Sequence, residues 1–180
     1  MTHSGLPESI DQLDVRITRT LARIGVPVVR VALGIVFLWF GVLKFFPNLS
    51  PAEDLAARTI EALTVGTVQS NVSLPVLAAW ESLIGIGLIL NRWMRAVLLL
   101  LAVQMAGTFT PLLLFPSETW TIFPIAPTLE GQYIIKNLVL IGAAMVVGAT
   151  VRGGRIVSEP AEVARYSASA GVAEGQTRPT

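Results

Sequence analysis

Four long apolar runs, separated by polar stretches, organise the chain. They cover about residues 24–46 (IGVPVVRVALGIVFLWFGVLKFF), 74–90 (LPVLAAWESLIGIGLIL), 94–115 (MRAVLLLLAVQMAGTFTPLLLF) and 130–150. At a rise of about 1.5 Å per residue, these lengths suit a hydrocarbon core of roughly 30 Å, the second run being the shortest. The pattern predicts an all-α fold, an integral membrane four-helix bundle. Pro27 and Pro75 are expected in the first turns of spans one and two, where a missing N–H costs nothing. Pro47 and Asn48 are expected to end span one, and Pro111 to kink the last third of span three.

The polar segments complete the plan. Residues 1–23 form a polar cytoplasmic leader without the apolar stretch of a signal peptide, so the first run is expected to stay in the membrane. Residues 151–180 read as a cytoplasmic, largely disordered tail, rich in Ala, Ser, Gly and Glu after Ser158. The first outer loop contains SPAEDLAARTIEAL, with Ser50 as N-cap, Pro51 at the first position and Glu53 closing a capping box. Ala52, Leu55, Ala56, Ile60 and Leu63 fall on one face. This predicts a short amphipathic helix that lies on the outer surface, lids the bundle or simply connects two spans. The second outer loop, FPSETWTIFPIAPTLEG, is proline-rich but apolar, and is expected to pack on the mouth of the bundle.

Charge adds an orientation. Arg16, Arg19 and Arg23 precede span one, Arg92 and Arg95 separate spans two and three, and Arg152, Arg155, Arg165 and Arg178 follow span four. The other two loops carry only Arg58, set against Glu53, Asp54, Glu61 and Glu118. The positive-inside rule then places both termini in the cytoplasm and the 47–73 and 116–129 loops outside. This arrangement fits a bacterial cytoplasmic (inner) membrane. Only 14% of the residues are charged and 53% are hydrophobic, far from a soluble composition. A net charge of +1 offers nothing to nucleic acid. The absence of cysteine excludes thiol relays and thiolate-bound metal, and the single histidine, His3, lies in the leader. No metal site is expected, and no cofactor motif is evident.

Within the apolar runs, a few polar residues carry the candidate chemistry. Lys44 and Lys136 are the only lysines, and both sit inside spans. Glu81 is the carboxylate deep in span two. From the outer ends of their helices, Glu81 and Lys136 lie about 10 Å and 9 Å down, and Lys44 about 4–5 Å. A charge at that depth costs a few kcal/mol unless it pairs, and such residues are functional by default. Glu81 is expected to pair with Lys136, with Lys44 joining or snorkelling outward. Gln132, Tyr133, Lys136 and Asn137 share a polar stripe on span four, and Gln104 and Thr108 another on span three. Gly34, Gly41 and Gly85 are positioned for close helix approach. Arg30, one turn into span one, is expected to snorkel to the interface.

RVALGIVFLWFGVLKFFP, AAWESLIGIGLIL and GQYIIKNLVLIGAA, in that order, resemble the DoxX-like family of small four-helix membrane proteins. FTPLLLFP resembles the branch related to RclC, associated with reactive-chlorine resistance. The matching positions are Gly41, Lys44, Glu81, Gly85, Lys136 and Asn137. The resemblance implies a quinone- or redox-stress-linked subunit of a membrane oxidoreductase complex. Its ligand would be a quinone, and a protein partner would supply the redox centre. The residues leave two other functions open. One is permeation of a small solute or anion through an oligomer. The other is a membrane scaffold whose buried ion pair only sets helix register. They do not define the oligomeric state.

Overall fold

A computed structural model describes residues 8–47, 49–50 and 53–158. The chain divides into two compact units, Val29–Val151 and a unit of Met1–Val28 with Arg152–Thr180. Residues 1–7 of the expected leader, Asn48, Pro51, Ala52 and the tail beyond Ser158 lie outside the described residues, so of the expected capping box only Ser50 and Glu53 are described.

Helix α1 (Glu8–Leu43), whose first part to Val28 belongs to the terminal unit, already runs through the leader, well ahead of the expected start near Ile24. The signal is a stripe of Ile10, Leu13, Ile17, Leu21, Ile24 and Val28, recurring every three or four residues, which is the helical period. All six are exposed. Pro27 is consequently inside α1 and not in a first turn. The helix stops at Leu43, and Lys44 opens a run of turns through Phe46, so Lys44 stands just beyond the helix end.

In the Val29–Val151 unit, α3 (Ser70–Leu90) starts at an extended Gln69, whose carbonyl accepts from the N–H groups of Val72 and Ser73. Span two is therefore longer than expected, and Pro75 lies inside it. A left-handed Asn91 ends α3, and Arg92 N–H reaches back to the Gly87 carbonyl at 3.1 Å, a tight C-terminal turn. Arg30 is turned inward and not toward the interface: it donates to the carbonyls of Leu88 and Ile89, satisfying the end of α3. α4 (Met94–Phe109) breaks at Thr110, and Pro111 opens the short α5 (Pro111–Leu114). The core is built from Leu33 and Phe37 of α1, Ile84 and Leu88 of α3, and Val97, Leu101 and Met105 of α4. Leu140, Ile141, Ala143 and Ala144 pack against it.

The connections between spans one and two and between spans three and four are folded. α2 (Glu53–Leu63) packs on α3 and α5. Its buried residues are Leu55, Ala57 and Thr59, whereas Leu63 is exposed, so the packed face differs from the one expected. α6 (Pro116–Thr119) leads into a two-stranded antiparallel ribbon, β1 (Trp120–Ile122) and β2 (Ala126–Pro127). Trp120 anchors it by donating to the Leu112 carbonyl at 3.1 Å. Span four is interrupted: α7 (Leu129–Ile135) and α8 (Asn137–Ala149) meet at Lys136. Thr128 caps α7 by accepting from Gly131 N–H, and donates to the Glu118 carbonyl at 2.6 Å. A Cβ on Gly131 would stand 2.0 Å from the Thr119 carbonyl oxygen, so only glycine lets α7 press against that loop.

Among the described residues, four segments are long and apolar enough to cross a membrane: Ser9–Leu43, Ser70–Leu90, Met94–Leu114 and Leu129–Ala149. The last has the smallest buried share, 11%, against 39% for the second.

Candidate functional site

Close packing of α1 on α3 creates the site. A Cβ on Gly85 would fall 2.4 Å from the Leu38 backbone nitrogen, and one on Gly34 would fall 2.8 Å from Ile89 Cγ1. At Gly41 it would meet Ser82 N at 2.7 Å, Ser82 Oγ at 2.8 Å and Glu81 Cβ at 3.0 Å. Three glycines thus remove the spacing that side chains would impose. The end of α1 is brought against the turn of α3 that carries Glu81. The buried Ser82 Oγ faces this contact without a hydrogen-bond partner among the described residues.

Lys44 follows directly. Its ammonium donates to Glu81 Oε2 at 2.6 Å, and both side chains are 11% exposed. The second carboxylate oxygen, Oε1, accepts from Gln104 Nε2 on α4 at 2.9 Å. Lys44 also approaches the Phe40 carbonyl at 3.4 Å. Thr108 donates to the Gln104 carbonyl at 2.9 Å, fixing the backbone of the residue that holds Glu81. Trp80 Nε1 donates to the Leu100 carbonyl at 3.3 Å, tying α3 to α4 one turn away. A single acid is therefore clasped by donors from two other segments, a geometry that neutralises charge in an apolar medium.

The expected pairing of Glu81 with Lys136 is not what forms. Lys136 is exposed, and its ammonium lies 5.2 Å from the Tyr133 ring centroid. Gln132 and Tyr133 are exposed as well, and Asn137 donates to the Tyr133 carbonyl at 3.2 Å. Two features explain the separation. α7 is held by the loop through Gly131–Thr119 and Thr128–Glu118, and Lys136 sits at the α7–α8 break. Meanwhile both Glu81 oxygens are already engaged. The candidate residues thus form two groups: Lys44, Glu81, Gln104 and Thr108 in one, and Gln132, Tyr133, Lys136 and Asn137 in the other.

A second ion pair was not legible from local sequence, since its members are far apart in the chain. Arg58 on α2 grips Glu118 on α6 with two hydrogen bonds, at 2.7 and 2.6 Å. Its guanidinium also lies 5.3 Å from the Phe115 ring centroid. The Arg58 hydrogen bonds hold the Glu118 carboxyl below the usual carboxylate range, and Glu118 in turn raises the Arg58 guanidinium. This pair borders a cavity of about 610 Å³, also lined by Ser50, Glu53, Asp54 and Glu130. Among the described residues, no group of three or more His, Cys, Asp or Glu could hold a metal ion.

A family model described as DoxX matches residues 25–115. That range contains Gly34, Gly41, Lys44, Glu81, Gly85, Gln104 and Thr108, but not Lys136. Neither a curated protein nor a solved structure matches the chain. With the model spanning half of the chain, and with four helices able to cross a bilayer, this multi-pass membrane protein belongs to the DoxX family.

Proposed function

We propose that the chain is a redox-linked subunit of a membrane oxidoreductase complex, with Lys44, Glu81 and Gln104 as its working site. The observation that carries this reading is the Glu81 carboxylate, 8% exposed and held between donors on separate segments. A quinone is the ligand whose chemistry fits: a flat apolar ring with carbonyl oxygens that accept hydrogen bonds. Lys44 has three N–H donors, of which Glu81 takes one at short range. Phe40, Phe45 and Phe46 beside it are half exposed and apolar, a path open to the lipid phase. The bound quinone would supply electron acceptance. This chain's residues would orient a carbonyl oxygen at Lys44 Nζ, limit water and hold a proton at Glu81. Electrons would come from a protein partner. The branch resemblance of FTPLLLFP extends the proposal to oxidative stress.

The direct test is binding of a tail-less naphthoquinone to the purified chain in lipid nanodiscs. Saturable binding is expected, weakened at least about tenfold by Lys44→Met, or ~1.4 kcal/mol, and retained in part by Lys44→Arg. No saturable binding, or equal binding by wild type and Lys44→Met, would overturn the reading. One observation favours a second reading. Both Glu81 oxygens already have donors, as in a purely architectural clasp that sets helix register. Under that reading, apolar replacement of all three residues leaves folding and complex formation intact.

A further inference from the structure

The stripe on span four lies outside the Glu81 network and raises a separate question. Lys136 is an exposed amine about 10 Å along its helix from Leu129, in a segment otherwise apolar enough to cross a bilayer. Among the described residues its ammonium meets the Tyr133 ring and not a carboxylate. Side chains on a helix lean toward its N-terminus, and Tyr133 lies one turn in that direction. The ammonium is thus directed toward the loop end of the span, where headgroups lie.

An independent feature begins below it. An apolar groove of about 370 Å³ runs between α4 and α8, lined among others by Ala102, Met105, Ala106, Ile141 and Met145. Within α8, Asn137, Ile141 and Met145 succeed one another at intervals of four, and Asn137 donates to the Tyr133 carbonyl across the break, so the polar stripe leads into the groove. A cationic head site above an apolar channel is complementary to an anionic amphiphile. A second copy of this chain does not fit as the occupant. Lys136 would face Lys136, and the carboxylate at membrane depth, Glu81, is already held by Lys44.

We propose that this surface binds an anionic phospholipid, with its phosphate at Lys136 and Tyr133 and one acyl chain in the α4–α8 groove. The phosphate accepts from the ammonium and the tyrosine hydroxyl, and Gln132 and Asn137 border the headgroup. The chain covers apolar surface that span four leaves open.

The test is native mass spectrometry of the full-length protein, titrated with phosphatidylglycerol and with phosphatidylcholine of the same acyl chains. Wild type is expected to bind phosphatidylglycerol about tenfold more tightly, a difference of ~1.4 kcal/mol. Lys136→Met should abolish that preference, Lys136→Arg should keep it, and Ala106→Leu, which fills the groove from its exposed side, should weaken both lipids. Equal affinity for the two lipids in wild type, or an unchanged preference in Lys136→Met, would overturn the proposal. So would full competition by inorganic phosphate, which would assign a free anion site, or a co-purifying protein that blocks lipid binding. Arg95→Gln, a cation removed outside both this surface and the Lys44 site, serves as the control and should leave the preference unchanged. The outcome is thereby separable from that of the quinone experiment.

Discussion

An ionised carboxylate survives in an apolar interior when each oxygen has a donor, and Glu81 meets that condition with Lys44 and Gln104. Removing one member strands the others. Glu81→Leu leaves a buried ammonium, and is expected to cost about 3–5 kcal/mol in unfolding measured in bilayers or bicelles. The triple variant Lys44→Met, Glu81→Leu, Gln104→Leu should recover most of that loss. If it is as unstable as Glu81→Leu, the cost does not come from the stranded charge. Each of these residues is visible in the sequence as a polar interruption of an apolar run. Which lysine reaches Glu81 is not visible there. Depth alone favoured Lys136, because it and Glu81 lie at similar distances from the outer ends of their helices. The deciding quantity is lateral approach, set by Gly41 and Gly85 on one side and by the pull of the 115–128 loop on α7 on the other.

Helices were legible by composition, and their ends less so. Span existence follows from apolar length, which the bilayer enforces. The early start of α1 is written in the Ile10–Val28 stripe, but the charged residues between those positions mask it in a search for apolar runs. The break at Lys136 and the Arg58–Glu118 tie arise from tertiary contacts that no local pattern encodes. At Gly85 an added side chain meets the Leu38 backbone, which cannot rotate away. Gly85→Val should therefore destabilise the fold by about 1–3 kcal/mol or more and weaken the Lys44–Glu81 contact. Normal stability in that variant would contradict the close approach. The outer tie has a definite pH sign. Glu118 is shifted downward, so the pair contributes fully above the unfolded carboxylate range, about pH 4.3, and is lost as pH falls through the lower folded value. Hydrogen exchange in α2, corrected for intrinsic rate, should be flat from about pH 8 to 6 and rise only below the usual carboxylate range. Arg58→Gln should raise it at neutral pH. A rise in wild type already between about pH 8 and 6 would exclude this pair as its cause.

For the molecule as a whole, we propose from the arginine distribution and the positive-inside rule that both termini are cytoplasmic and that α2 and the β1–β2 ribbon lie outside. The chain has no cysteine, so single introduced cysteines report on topology without background. Thr67→Cys and Ser117→Cys are expected to react with an impermeant maleimide added to intact cells, and Gly154→Cys only after lysis; the reverse pattern would invert the assignment. In that frame the outer half of the bundle carries the Lys44–Glu81–Gln104 clasp, with span four presenting its own polar face. The measurement that tests this most directly is a pair of double-mutant cycles in bilayer unfolding, Lys44→Met with Glu81→Leu and Lys136→Met with Glu81→Leu. The account expects a coupling of about 2–3 kcal/mol for the first pair and additivity within about 0.5 kcal/mol for the second. Coupling of Glu81 to Lys136 with additivity at Lys44 would contradict it.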